Sequence, residues 1–340
     1  LKPLLHAHYI SVHYQLGSMK MAKCWWFSPL IPVLVVLLAA ACGSVTSAPV
    51  TTPTTSPPMS ADILFVWNRH GYAELWTIDA ASGRAYWLCR APDLSMDFAP
   101  SPDGRYIAFV RATDDETEGL WVMDRDGRNL HQLYHHEARY TVYHNPTWTP
   151  DGRFIYFDLN VIGDAQPIAI YRIPSEGGEA EIVAKGRLRP IISPDGKRLL
   201  SGPELAFSDL DGGDLQPVLP VGKQIGWSLA RLSPDGRWIA LDGYRGEWTS
   251  NVYVVAVDGS ELRQLTHLVN VYQDGEVGGL AWTANGRQIV YSIHGPRKVQ
   301  GIWVIDADGG QPRRLLASKT WLSVEGRLAP TDSGEGNADD

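Results

Sequence analysis

The stretch SPDGRYIAFV, Ser101–Val110, decides the fold. Its first five residues recur as TPDGR from Thr149, SPDGK from Ser193, SPDGR from Ser233 and TANGR from Thr283. Ser-Pro-Asp-Gly carries the chemistry of a type I turn. Proline presets φ at the second position, aspartate tolerates the third, and glycine accepts the positive φ that returns the chain. The residues after the turns (RYIAFV, RFIYFD, RWIALD, RQIVYS) are short apolar runs of strand type. The turns start 48, 44, 40 and 50 residues apart.

A second motif runs out of phase with the first. It is an aromatic strand, an Asp- or Gly-rich turn and a further strand. It occurs as LWTIDAASGR from Leu75, LWVMDRDGRN from Leu120, IYRIPSEGGE from Ile170, AFSDLDGGD from Ala206, VYVVAVDGSE from Val252 and IWVIDADGGQ from Ile302. A period near 45 residues with about four strands per unit signals a β-propeller. Each unit reads as inner strand, Ser-Pro-Asp-Gly hairpin, second strand, variable loop, third strand, Asp-Gly hairpin and outer strand. Six third strands against five first hairpins leave one inner strand missing. DILFVWN from Asp62 begins the first blade at its second strand, and TWLSVEGRLAP from Thr320 can supply the missing one. The expectation is all-β: a six-bladed propeller of four-stranded antiparallel blades, closed by pairing of the C-terminal strand with the first blade, which removes open edges.

SPDGR followed by an IAF-type and an LWVMD-type strand resembles the WD40-like repeat of the TolB-type propellers and of the peptidase propellers. The resemblance covers residues 62 to about 329, and it is specific for the fold and weak for the function. TolB proteins carry a separate domain ahead of the propeller, whereas residues 43–61 are a short linker, so the resemblance implies a relative and not TolB proper. The prolyl-peptidase relatives add an α/β-hydrolase domain, for which this sequence has no room.

Residues 1–61 contain no Asp or Glu and only three basic residues, Lys2, Lys20 and Lys23. WWFSPLIPVLVVLLAAAC, ending at Cys42, has the apolar core and small residues of a secretory signal. Leu-Ala-Ala-Ala-Cys at 38–42 resembles the lipobox of bacterial lipoproteins, with Ala39 where Leu is commoner; the resemblance implies lipidation of Cys42. The domain reading is a spurious or atypical leader over 1–18, a lipoprotein signal peptide over 19–41, a Thr/Ser/Pro-rich disordered linker over 42–61, the propeller over 62–329, and an acidic disordered tail over 330–340. The expected location is extracytoplasmic and membrane-anchored, periplasmic or at the cell surface. Cys89 is the one cysteine within the propeller and reads as a buried small hydrophobe. Removal of the signal takes the formal charge from −8 to −11, because three lysines and no acid leave with it. An acidic chain argues against a nucleic-acid partner. No feature points to an oligomer, so a monomer is expected.

Both hairpin types fall on one face of a propeller, which leaves the variable loops on the other. On that loop face the sequence places Arg69, His70, Tyr72, His136, Tyr244, Arg245, Trp248, His294 and Arg297, and Arg and aromatics are the residues that anchor interfaces. His135, His136 and His144 fall in one segment and could bind a metal, although their spacing matches no standard ligand motif. GWSLA at Gly226 faintly resembles a serine nucleophile elbow but aligns with an inner strand. No catalytic set is recognisable and no cofactor is expected. The functional reading is a non-catalytic, lipid-anchored module binding a protein, peptide or glycan at the cell envelope. The alternative is a metal-dependent carbohydrate lyase or hydrolase using a His-lined site in the channel mouth.

Overall fold

A computed structural model describes residues 60–69, 72–92, 95–112, 118–136, 141–161, 168–219, 225–244, 250–269 and 271–329. Cys42, His70, Arg245 and Trp248, with the leader, signal and tail, lie outside the described residues.

The chain is built from hairpins. Blade 1 contains β1 (Ile63–Arg69), β2 (Tyr72–Ile78) and β3 (Ala85–Arg90). Blade 2 contains β4 (Ser95–Pro100), β5 (Tyr106–Ala112), β6 (Glu118–Asp124) and β7 (His131–Tyr134). Blade 3 contains β8 (Thr141–Trp148), β9 (Phe154–Val161), β10 (Ile168–Pro174) and β11 (Glu181–Lys185). Blade 4 is the smallest, with β12 (Ile191–Ile192), β13 (Leu199–Ser201), β14 (Ala206–Ser208) and β15 (Gln216–Pro217). Blade 5 contains β16 (Gly226–Leu232), β17 (Trp238–Tyr244), β18 (Asn251–Ala256) and β19 (Leu262–Gln264). After a single helical turn, α1 (Val271–Asp274), blade 6 contains β20 (Glu276–Trp282), β21 (Gln288–His294), β22 (Gly301–Asp306) and β23 (Arg313–Ala317). The last strand, β24 (Leu322–Arg327), pairs antiparallel with β1 and completes blade 1, as the repeat count requires. No helix among the described residues is long and apolar enough to cross a membrane.

The repeated turn has one hydrogen-bond pattern. In the first copy Gly104 N donates to Ser101 O at 3.0 Å and Gly104 takes φ 69°. Ser101 Oγ donates to Asp103 Oδ1 at 2.6 Å, and the same Oδ1 accepts Arg105 N at 3.0 Å. Ser101 Oγ in turn accepts Tyr106 N at 2.9 Å. Ser101, Asp103 and Gly104 thus each satisfy a backbone group that the turn would otherwise leave unpaired. The positions differ in what surrounds them. A Cβ on Gly152 would meet nothing within 4 Å, whereas one on Gly104 would lie 1.9 Å from Ala329 O. Gly152→Ala should therefore cost only the left-handed backbone term, about 1–2 kcal/mol. Gly104→Ala should cost more and displace the segment that follows β24; urea unfolding of the two variants side by side checks this.

Second strands are apolar on both faces because each is clasped between two blades. Ile63 and Phe65 pack toward blade 6, while Leu64 and Val66 pack toward blade 2. Indole N–H groups tie one inner strand to the preceding blade. Trp148 Nε1 donates to Ala99 O at 2.9 Å, Trp227 Nε1 to Pro203 O at 3.1 Å, and Trp282 Nε1 to Arg231 O at 2.9 Å. Cys89 is buried against Phe98 and Met123, and that burial, with the charge of Asp126, pushes its thiol up to about 12.

Candidate functional site

The six inner strands stand side by side in a ring: β24 beside β4, then β8, β12, β16 and β20, and back to β24. Around this ring the strands do not run regularly. The register slips between Met96 and Ala99, His144 and Thr147, Trp227 and Ala230, and Val277 and Gly279. A bulge re-aims side chains, as those of Asp97 and Asn145 at the first two of these slips. Asp97, Asn145 and Arg189 sit at matching places, four residues before the turn-opening Ser101, Thr149 and Ser193, and all three take left-handed backbone at φ 53°, 52° and 59°. A non-glycine residue there is strained by about 1–2 kcal/mol, and such strain clusters at functional sites.

These groups form a connected polar lining. His144 Nδ1 and Asp97 Oδ2 are 3.1 Å apart, joining blades 3 and 2. Their side chains are 42% and 35% exposed although inner strands surround them, so solvent reaches them through the central channel. Burial works against the His144 charge, but the hydrogen bond and charge of Asp97, helped by Asp158 and Glu118, push it up to about 9. Burial also opposes the Asp97 charge, and the bonds from His144 and Asn145 N with the charges of His144 and Arg231 hold its carboxyl below the usual range. Asp158 Oδ1 accepts Asn145 Nδ2 at 2.9 Å and Arg189 N at 3.0 Å. Arg189 lies 5.2 Å from the Trp227 ring and donates from Nη1 to Trp227 O at 3.0 Å. Asp242 Oδ1 accepts Ser228 N at 2.8 Å and Leu229 N at 2.6 Å, which accounts for the backbone of GWSLA: it turns inward onto a carboxylate. Arg231 reaches from blade 5 past blade 6, donating from Nη2 to Glu325 O of blade 1 at 2.9 Å.

The sequence-predicted residues fall in several places. Arg69 ends β1 with its guanidinium 4.6 Å from the Trp67 ring and 5.3 Å from Trp76. Tyr72 pairs with it across the strands, is 46% exposed and lies 3.5 Å under Arg90. His294 binds Leu322 O through Nε2 and packs 5.3 Å from Trp321, whose carbonyl accepts Asn68 N. Burial holds its pKa down, so it is a neutral packing group. Arg69, Tyr72 and His294 thus share the seam of blades 6 and 1, with Arg297 exposed on the following loop. Tyr244 is 44% exposed at the end of β17 in blade 5. His135 and His136 follow the outer strand of blade 2, with His135 Nδ1 3.3 Å from Glu118 O, whereas His144 lies in the channel. Among the described residues no group of three or more His, Cys, Asp or Glu is arranged to hold a metal. Sequence reading did not single out Asp97, Asp158, Arg189, Arg231, Asp242 or Glu325.

The chain is similar to known proteins. A family model described as the TolB beta propeller domain matches residues 42–204. An uncharacterised peptidase, YuxL, of Bacillus subtilis strain 168 is 27% identical over 206 residues, covering 57% of this chain and 28% of its own. A TolB homologue of Chlorobium luteolum is 28% identical over 162 residues, covering 45% of this chain and 35% of its own. The chain thus spans about a third of the length of these relatives. The crystal structure of TolB from Acinetobacter baumannii superposes with a TM-score of 0.64 at 17% identity, covering 80% of this chain and 68% of that one, which is a likeness of fold.

Proposed function

We propose that this chain, which carries a TolB-type β-propeller domain, is a non-catalytic binding module that takes a protein partner at the cell envelope. The observation that carries the reading is the convergence of Asp97, His144 and Arg189, from three blades, on one channel that solvent reaches at Asp97 and His144, with Asp242 buried near Arg189. Each is fixed by hydrogen bonds from neighbouring strands, so little ordering remains to be done when a ligand enters. A peptide or glycan segment of the partner would enter from the loop face, whose rim carries Arg69, Tyr72, Tyr244 and Arg297. The module would be periplasmic or cell-surface, held by acyl chains on Cys42 through the Thr/Ser/Pro-rich segment that follows it.

Two experiments test this. Cross-linking capture from the source envelope would compare the full chain with one carrying Arg69, Arg245 and Arg297 changed to Ala. A partner taken by the first and lost by the second is expected; equal capture, or none, sinks the loop-face reading. Metabolic labelling with an alkyne fatty acid should mark the chain and fail on Cys42→Ala; label retained on that variant removes the anchor.

A further inference from the structure

We infer that the loop-face seam of blades 6 and 1 is a docking strip for an acidic peptide segment of the partner; this rests on the loop-face reading above. Five cations run along it: Arg90, Arg69, Lys319, Lys298 and Arg297. Contacts make the strip continuous. Arg90 covers Tyr72, Tyr72 faces Arg69, and Arg69 covers Trp67. Trp67 Nε1 donates to Ser318 Oγ and Thr320 Oγ1, both at 3.1 Å, on either side of Lys319. Gln300 Nε2 donates to Thr320 O at 2.6 Å and brings in the 297–300 segment.

Against a chain of net charge −8 this strip is locally basic. Two carboxylates border it, Glu74, which accepts Trp76 Nε1 at 3.0 Å, and Glu276, opposite His294. Among the described residues Arg69, Arg297, Lys298 and Lys319 have no carboxylate within ion-pair distance. Elsewhere some arginines are paired, Arg172 with Glu181 and Asp211, Arg187 with Glu204, and Arg263 with Glu261 and Asp308.

The chemistry favours carboxylates on an extended chain. Arg69 lies over the Trp67 and Trp76 rings, which holds its planar guanidinium ready for bidentate pairing. Trp67, Trp76 and Trp321 are half-buried beneath, giving the arginines a floor that excludes water. A lipid surface fits less well. Among the described residues the large apolar side chains that protrude are Tyr106 and Leu130 of blade 2, Ile182 of blade 3, Leu215 of blade 4, Tyr244 of blade 5 and Val269 after its last strand, and blade 1 contributes only Tyr72. Membrane-lying surfaces insert apolar groups alongside their cations.

The test uses the full chain and a fluorescein-labelled ten-residue peptide alternating Glu and Gly, read by anisotropy at low salt. Binding is expected, with a Gln/Gly peptide failing and affinity falling severalfold as salt approaches physiological strength. The variant Arg69→Glu/Arg297→Glu/Lys319→Glu should lose at least tenfold, while Tyr244→Ala/His136→Ala should bind as the parent does. Equal binding of the Gln/Gly peptide, undiminished binding by the triple variant, or no binding of the acidic peptide each overturns the strip. Binding only to phosphatidylglycerol vesicles, lost in the triple variant, replaces the peptide by a membrane. Envelope capture with the same two variants separates the readings. A partner lost with Tyr244 and His136 but kept by the triple variant sinks the strip and leaves the loop face standing; a partner kept by both sinks the loop face.

Discussion

A chain ended after Thr320 is expected not to form the native ring. β24 and the residue after it contribute Leu322, Val324 and Leu328, at 0%, 2% and 2% exposure, to the seams of blade 1. Burying such side chains contributes about 1.5–3 kcal/mol each. The strand also carries the ladder to β1, the bond from Leu328 N to Asp62 O at 2.6 Å, the Arg231 bond to Glu325 O and the His294 bond to Leu322 O. Net hydrogen-bond contributions are about 1 kcal/mol apiece. Together the loss reaches about 10 kcal/mol, the whole stability of an ordinary domain. It also bares β1, an apolar edge open to pairing with other chains. The truncated chain should aggregate or lack a cooperative urea transition by tryptophan fluorescence. Val324→Asp, which buries an unpaired carboxylate among Phe65, Ala281 and Val290, should do nearly as much. A truncated chain unfolding cooperatively at the parent midpoint would show that the ring closes without β24.

That strand was legible because counting repeats is arithmetic on the sequence. Six LWVMD-type strands and five turns leave one strand owed, and LSVEGR is the remaining apolar run. The turns were legible because Ser, Asp and Gly act within five residues of one another. The channel lining was not, because its partners are set by the ring: Arg231 meets a carbonyl 94 residues away. Two signals did exist. Asp158, Asp242 and Ser292 each end an apolar run (IYFD, IALD, IVYS) in which an acid or hydroxyl is out of place. A polar residue four before the turn recurs as Asp97, Asn145 and Arg189. The loop-face arginines and aromatics were visible as residue types, yet only the seam shows which of them meet.

Stability should peak near pH 5 and fall toward pH 9, and the channel determines the falling limb. Burial is the largest cause at Asp158 and Asp242, raising each to about 6. At Asp158 the His144 charge and the Asn145 and Arg189 bonds offset part of it, with Asp97 adding to it; at Asp242 the Ser228 and Leu229 bonds and the Arg189 charge offset part. Burial and then the Asp97 charge raise Glu325 to about 7, against Ser323, Arg231 and the Phe98 amide. A carboxyl whose folded pKa is raised costs nothing below its unfolded value near 4 and costs most above its folded one. The ionised form of Asp158 or Asp242 therefore withholds about 3 kcal/mol above pH 6. His144 acts in the same direction, since a raised histidine stabilises fully below pH 6.5 and loses that contribution as pH rises through about 9. The acid limb belongs to the turns and to Asp97, whose carboxyl is also held below the usual range. Hydroxyl bonds from Thr149, Ser193 and Ser233 hold Asp151, Asp195 and Asp235 below the usual range, and that gain disappears as pH falls below about 4. Asp242→Asn separates the contributions, because an amide oxygen can still accept both backbone bonds while carrying no charge. It should leave stability at pH 5 nearly unchanged and raise it at pH 8 by about 1–3 kcal/mol. Equal destabilisation at both pH values, in urea titrations, would show that the Asp242 charge is not held at a cost.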